Sequence, residues 1–150
     1  MLFKYSQGRW NRRGEYACLY TALSRTGALA ELEKARLQYG TILGDRDLVS
    51  IRINALEPVL DLTDPANYRA LAIEAGENPD PALMTIDGDS AYEHCRRLAG
   101  AARVRGCTAL LVPSAARRGE RNLVIYFDVV APKHVDIEDG PDREQVAAPP

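Results

Sequence analysis

The stretch from Ser90 to Phe127 constrains the fold more than any other part of the chain. Cys95, Leu98, Ala99 and Ala102 recur at three- and four-residue spacing, which predicts a helix over residues 90–105 with one apolar face. Gly106 is placed to stop it, because glycine accepts the left-handed backbone that commonly closes a helix. An apolar strand, Thr108–Val112, follows at once. A basic turn, Ala116–Gly119, then leads into a further strand, Arg121–Phe127.

Other segments extend the pattern without repeating it. Tyr16–Leu23 is long enough for one buried strand, and Ser24 is placed to cap a helix over 25–39. In that helix Leu29, Leu32, Ala35, Arg36 and Tyr39 share a face, while Glu31, Glu33 and Lys34 populate the others, and Gly40 is the stop. Residues 47–53 alternate as a half-buried strand does, and 56–62 is a second candidate interrupted by Glu57-Pro58. Thr63-Asp64-Pro65 starts a helix, and 76–81 is a loop. Helices and strands mix without strict βαβ alternation. The expected fold class is therefore α+β, a single compact domain with a mixed or antiparallel sheet and flanking helices. Residues 136–150 hold five acids, one arginine and three prolines, so the domain is expected over 1–130 and a disordered tail over 131–150.

Composition removes several classes of function. In 150 residues the net charge is −2, against a surface built throughout for nucleic acid. No apolar run reaches the roughly 18 residues that span a bilayer. The first 14 residues lack a secretory-type apolar stretch, so a cytoplasmic location with no membrane contact is expected. Three cysteines without CxxC spacing and two distant histidines offer neither a disulfide framework nor a metal site. GxGxxG, Walker, GxSxG and HExxH motifs are missing. Chemistry is left to Arg, Glu, Ser, Tyr and Asp.

Four features are candidates. Arg9, in Gly8-Arg9-Trp10-Asn11, can offer a bidentate guanidinium beside an aromatic face, a pairing suited to an anionic, ring-containing ligand. Taken alone, it reads more simply as a surface arginine next to an anchoring tryptophan. Tyr20 reads as a core aromatic with a satisfied hydroxyl. Glu31 lies early in a helix, where acids are favoured for local reasons. Ser114 follows directly on an apolar strand, a place for site residues and for turn residues alike, and it has no Ser–His–Asp context as a nucleophile.

The order of these residues and their surroundings resembles the RES-domain family, named for its Arg, Glu and Ser. GRWN holds Arg9, LYTALSRTGALAELE holds Tyr20 and Glu31, and PVLDLTDP is similar to the family's middle strand and turn. CRRLAGAARVRGCTALLVPSAARRGERNLVIY is similar to its C-terminal helix, strand, serine loop and strand. The similarity spans roughly residues 8–128.

That resemblance implies a fold like the ADP-ribosyltransferase toxins and a role as the toxin of a type II toxin–antitoxin pair. It implies NAD+ as substrate, cleaved between nicotinamide and ribose, with water, phosphate or a protein as acceptor. The implied partner is an Xre-like antitoxin with a helix-turn-helix, and homodimerisation stays open. By the same resemblance Arg9, Glu31 and Ser114 are the catalytic candidates. Arg9 would meet phosphate or ribose, Glu31 the ribose hydroxyls, and Ser114 the nicotinamide ribose or amide. Asn11 would support the Arg9 loop, Tyr20 would stack on nicotinamide or wall the pocket, and Arg117 and Asn122 would help with phosphates. Arg12 and Arg13 make the lip more basic, which favours an anionic ligand. Net NAD+ consumption leads, and transfer of ADP-ribose to a protein is the alternative. A non-catalytic module binding nucleic acid or a partner is the competing class, suggested by Arg12, Arg13, Arg117, Arg118 and Arg121.

Overall fold

Residues 109–113 and 121–126 pair antiparallel, and their alternate side chains point to opposite faces of one sheet. The structure, a computed structural model, describes residues 7–40, 44–54, 56–130, 132–138 and 144–147. In chain order its strands are β1 (Cys18–Ala22), β2 (Arg46–Leu48), β3 (Ser50–Ile53), β4 (Val59–Asp61), β5 (Ala109–Pro113), β6 (Arg121–Tyr126), β7 (Val135–Glu138) and β8 (Glu144–Val146). Its helices are α1 (Arg25–Tyr39), α2 (Pro65–Glu74) and α3 (Asp89–Val104). The main sheet runs β1-β6-β5-β4. Only β4 and β5 are parallel within it, and the chain joins them through α2 and α3, as parallel neighbours require. The architecture is the expected α+β domain with a mixed sheet.

Alternation gives the sheet two apolar faces. Leu110, Val112, Val124 and Tyr126 face Leu71 and Ala72 of α2 and Cys95, Leu98, Ala99 and Ala102 of α3. Each fully buried leucine there contributes roughly 1.5–3 kcal/mol relative to exposure. Ala109, Leu123 and Ile125 form the second face, covered by Ile53, Leu56, Val130 and Val135.

That second face explains a correction. Composition puts residues 131–150 in a disordered tail, yet β7 pairs antiparallel with β3 and β8 with β2. Val135 packs with Ile53 over the sheet, and this apolar contact offsets the acidic character of the segment. Residues 131, 139–143 and 148–150 of the expected tail lie outside the described residues. The strand expected over 47–53 is broken at Val49, its two parts pairing with different partners. The one expected over 56–62 shrinks to β4 and follows a cis Glu57–Pro58 bond.

Helix ends follow local chemistry. Ser24 Oγ accepts the Gly27 N–H at 2.9 Å at the head of α1, and Gly40 closes it with φ +66°. Asp64 caps α2 through the Ala66 N–H at 2.7 Å, with Pro65 in the first turn. Among the described residues no helix is long and apolar enough to cross a membrane. Cys18, Cys95 and Cys107 are buried free thiols. Burial pushes Cys18 up to about 12 and Cys95 up to about 11, so neither is an available thiolate near neutral pH.

Candidate active site

Three strand ends meet where α1 begins. Asn122 of β6 sits opposite Val112 of β5 on one side and Ala22 of β1 on the other. Ser114 follows the last residue of β5, and Ser24 turns the chain from β1 into α1. The second turn of α1 therefore lies over this end of the sheet, and Glu31 is on it.

Glu31 is held from both neighbouring strands. Its Oε1 accepts from Ser114 Oγ at 2.7 Å and from Asn122 Nδ2 at 2.6 Å. Among the described residues Oε2 takes no hydrogen bond. Ser114 is 4% exposed, and its Oγ also accepts the backbone N–H groups of Ala116 (3.1 Å) and Arg117 (3.2 Å). That hydroxyl therefore has its proton directed at Glu31, because its lone pairs are occupied by the loop. Ser24 Oγ donates to Glu120 at 2.5 Å, and Gly27 lies so close that a Cβ there would stand 3.1 Å from the same carboxylate. Serine cap, glycine and Glu120 together fix the start of the helix that presents Glu31.

The GRWN loop forms the other wall. Tyr20 OH donates to Asn11 Oδ1 at 2.7 Å and accepts the Trp10 N–H at 3.0 Å. Burial of this hydroxyl pushes the phenol well above its usual range. Gly8 tolerates no side chain, since a Cβ would fall 2.4 Å from the same oxygen. Arg9 Nη1 donates to the Ile86 carbonyl at 2.6 Å and Nη2 to Asp87 at 2.8 Å, with the guanidinium 4.5 Å above the Tyr92 ring. Lys34 Nζ donates to Asp87 at 3.0 Å and to the Ala115 carbonyl at 3.2 Å. Lys34 thus links the Arg9 wall to the serine loop.

The expected site residues separate into groups. Glu31, Ser114 and Asn122 are in direct contact. Asn122 was expected near phosphates, but its amide is spent on Glu31, and its Oδ1 is buried with no partner among the described residues. Arg9 lies across from them at Asp87. Tyr20, expected in the core, keeps a 42% exposed residue surface with only its hydroxyl tied down. Asn11 is wholly buried and donates to the Tyr16 carbonyl, so it braces the loop instead of facing a ligand. Arg117 is joined to the site by its backbone, and its side chain is exposed. Lys34, Asp87 and Tyr92 were not foreseen. For Lys34 a signal existed, because a residue three beyond Glu31 shares its helix face. Of the basic residues that suggested nucleic-acid binding, Arg12 is ion-paired with Glu15 and Glu93.

Comparison with known proteins bears on the fold and the family. Among solved structures, a chain of the crystal structure of the M. tuberculosis MbcT–MbcA toxin–antitoxin complex matches with a TM-score of 0.66. It is 23% identical, and the match covers 94% of this chain and 71% of that one. A comparison with curated proteins finds no match. A family model described as the RES domain matches residues 3–147, nearly the whole chain, and takes in the Arg9 loop, the Glu31 helix and the Ser114 loop together. The chain belongs to the RES-domain family.

Proposed function

We propose that this chain is a toxin that consumes NAD+ by breaking its nicotinamide–ribose bond. The observation that carries the reading is the Glu31 carboxylate, fixed through Oε1 by Ser114 and Asn122 with Oε2 left for a ligand. Family membership supports the same reading.

The reaction needs little acid–base work. The pair of electrons in the C1′–N bond leaves with nicotinamide, which departs neutral because its ring nitrogen was cationic. Positive charge grows on the ribose, as in glycoside cleavage. A carboxylate held rigidly beside the sugar stabilises that charge without reorganising at the moment of reaction. Glu31 has this role and also accepts from ribose hydroxyls, while Ser114 and Asn122 stop it from swinging. Arg9 binds phosphate, and the exposed face of Tyr20 stacks against nicotinamide. Water or phosphate then forms the new bond to C1′, giving ADP-ribose or its 1-phosphate, and water's extra proton passes to solvent. No metal has a part in this scheme.

The partner in this reading is an antitoxin with a helix-turn-helix that covers the cleft, and the similarity to a chain of the MbcT–MbcA toxin–antitoxin complex supports an antitoxin partner. The test is NAD+ loss with purified wild type, Arg9→Ala and Glu31→Ala, with and without phosphate, using adenine-labelled NAD+. Loss in wild type alone, with the label in a small molecule, is the expected result. Label retained on protein would replace NAD+ depletion by ADP-ribosyl transfer, and no loss in any sample would overturn the reading.

A further inference from the structure

Three donors from separate parts of the chain converge on one oxygen. Asp87 Oδ1 accepts from Arg9 at 2.8 Å, from Lys34 at 3.0 Å and from the Tyr92 hydroxyl at 3.2 Å. The two cations are built in: the Arg9 side chain is 11% exposed and that of Lys34 is 27% exposed. The anion is the accessible member, at 59%. Hydrogen bonding from Lys34, helped by the Arg9 charge, outweighs burial and holds the Asp87 carboxyl below its ordinary value.

Position connects this cluster to Glu31. Lys34 is one helical turn further along the same face of α1, which puts the two Cβ atoms about 5–6 Å apart. Its second bond goes to Ala115, the neighbour of Ser114. The cluster opens into a cleft of about 470 Å³ whose lining includes Lys34, Leu37, Gln38, Asp87, Asp89 and Tyr92. Two cations brought within 3 Å of a common point repel one another unless an anion lies between them. A diphosphate carries more charge than one carboxylate and offers more acceptor oxygens to the same donors.

We propose that Arg9 and Lys34 form a two-cation clamp for the diphosphate of the dinucleotide, and that Asp87 is the carboxylate that occupies it when no dinucleotide is bound. This deepens the NAD+ reading and rests on it for the identity of the ligand. Lys34 selects for a diphosphate-bearing substrate over nicotinamide riboside, and Asp87 sets the affinity by competing for the same donors. Arg9 keeps its orientation throughout, because the Ile86 carbonyl and the Tyr92 ring hold it independently of Asp87.

The test pairs calorimetric titration of inorganic pyrophosphate with steady-state NAD+ cleavage, for wild type, Lys34→Gln, Lys34→Arg and Asp87→Asn. Removal of one water-screened charge interaction changes affinity by about fivefold. Lys34→Gln weakens pyrophosphate binding and raises KM for NAD+ by that factor, with kcat nearly constant. Lys34→Arg restores both. Asp87→Asn tightens pyrophosphate binding and lowers KM. Cleavage of nicotinamide riboside responds to none of them. Pyrophosphate binding that is undetectable in wild type, unchanged in the variants or weakened by Asp87→Asn overturns the clamp. Pyrophosphate binding that shifts as stated without any NAD+ cleavage would keep the clamp and discard the NAD+ reading. Cleavage with one KM throughout would do the reverse.

Discussion

Helices α1 and α3 are nearly equal in length, 15 and 16 residues, yet they are attached to the molecule by opposite means. α3 buries Ala91, His94, Cys95, Leu98, Ala99 and Ala102 against the sheet. α1 buries only Gly27. Its attachment is polar: Ser24 to Glu120, Glu31 to Ser114 and Asn122, Lys34 to Asp87 and Ala115, Arg36 to the carbonyls of Val146 and Ala147. Apolar burial is non-directional and adds up with area, whereas each hydrogen bond contributes about 0.5–1.5 kcal/mol net and demands geometry. The helix that stabilises the domain is therefore separate from the helix that carries the candidate chemistry. Substitutions should sort accordingly.

The contrast breaks first at Leu98. Leu98→Ala should cost about 2–5 kcal/mol, read from urea or thermal unfolding, because the residue is fully buried and its neighbours cannot fully close the space. A loss under 1 kcal/mol would mean that α3 is not the mechanical centre. Glu31→Gln tests the other helix. It keeps an acceptor for Ser114 and Asn122 but removes the charge, so NAD+ turnover should fall by about 10²–10³-fold, with stability changed by about 0.5 kcal/mol or less. An equal loss of stability would make Glu31 a fold residue.

A third test uses acid. Glu77 lies in the loop after α2, and its carboxylate accepts from Arg97 at 2.8 Å and faces His94 Nδ1 at 3.0 Å, beneath α3. Burial raises its pKa, but the bonds from Arg97 and His94 together outweigh this and leave it lowered. A carboxyl depressed in the folded state contributes fully above its unfolded value, about 4.3, and loses that contribution as pH falls through the folded value. Melting temperature should therefore fall more steeply below about pH 4 in wild type than in Glu77→Gln. Parallel curves would remove Glu77 from the account of α3. The smallest effect belongs to the cap of α1: Ser24→Ala should cost about 1 kcal/mol by thermal unfolding.

Much of this division could be read from the residues. The 90–105 periodicity located α3 and its buried face, and Ser24, Gly40, Asp64 and Pro65 marked helix ends by their own local chemistry. Glu31 and Ser114 were recognised through the order of motifs, since neither the helical period nor the strand pattern singles them out. Their contact spans 83 residues of sequence and depends on where β5 ends relative to α1. Asp87 carries no sequence signal for the same reason, being brought to Arg9 across 78 residues by the loop before α3. The strands after residue 134 are hidden by a composition that describes exposed charge and misses Val135, which packs inward.

The three buried thiols turn this architecture into its own reporter. Cys18 belongs to β1, Cys95 to α3 and Cys107 to the turn that enters β5, so each reports on a different element around one apolar core. A thiol reagent can label each one only when that element opens, and the labelling rate then measures the free energy of the opening. If α1 is the loosely held element, ligand in the cleft should slow labelling of Cys18 on the neighbouring strand and leave Cys95 almost untouched. Cysteines with no part in the chemistry would thereby show which motions the chemistry uses.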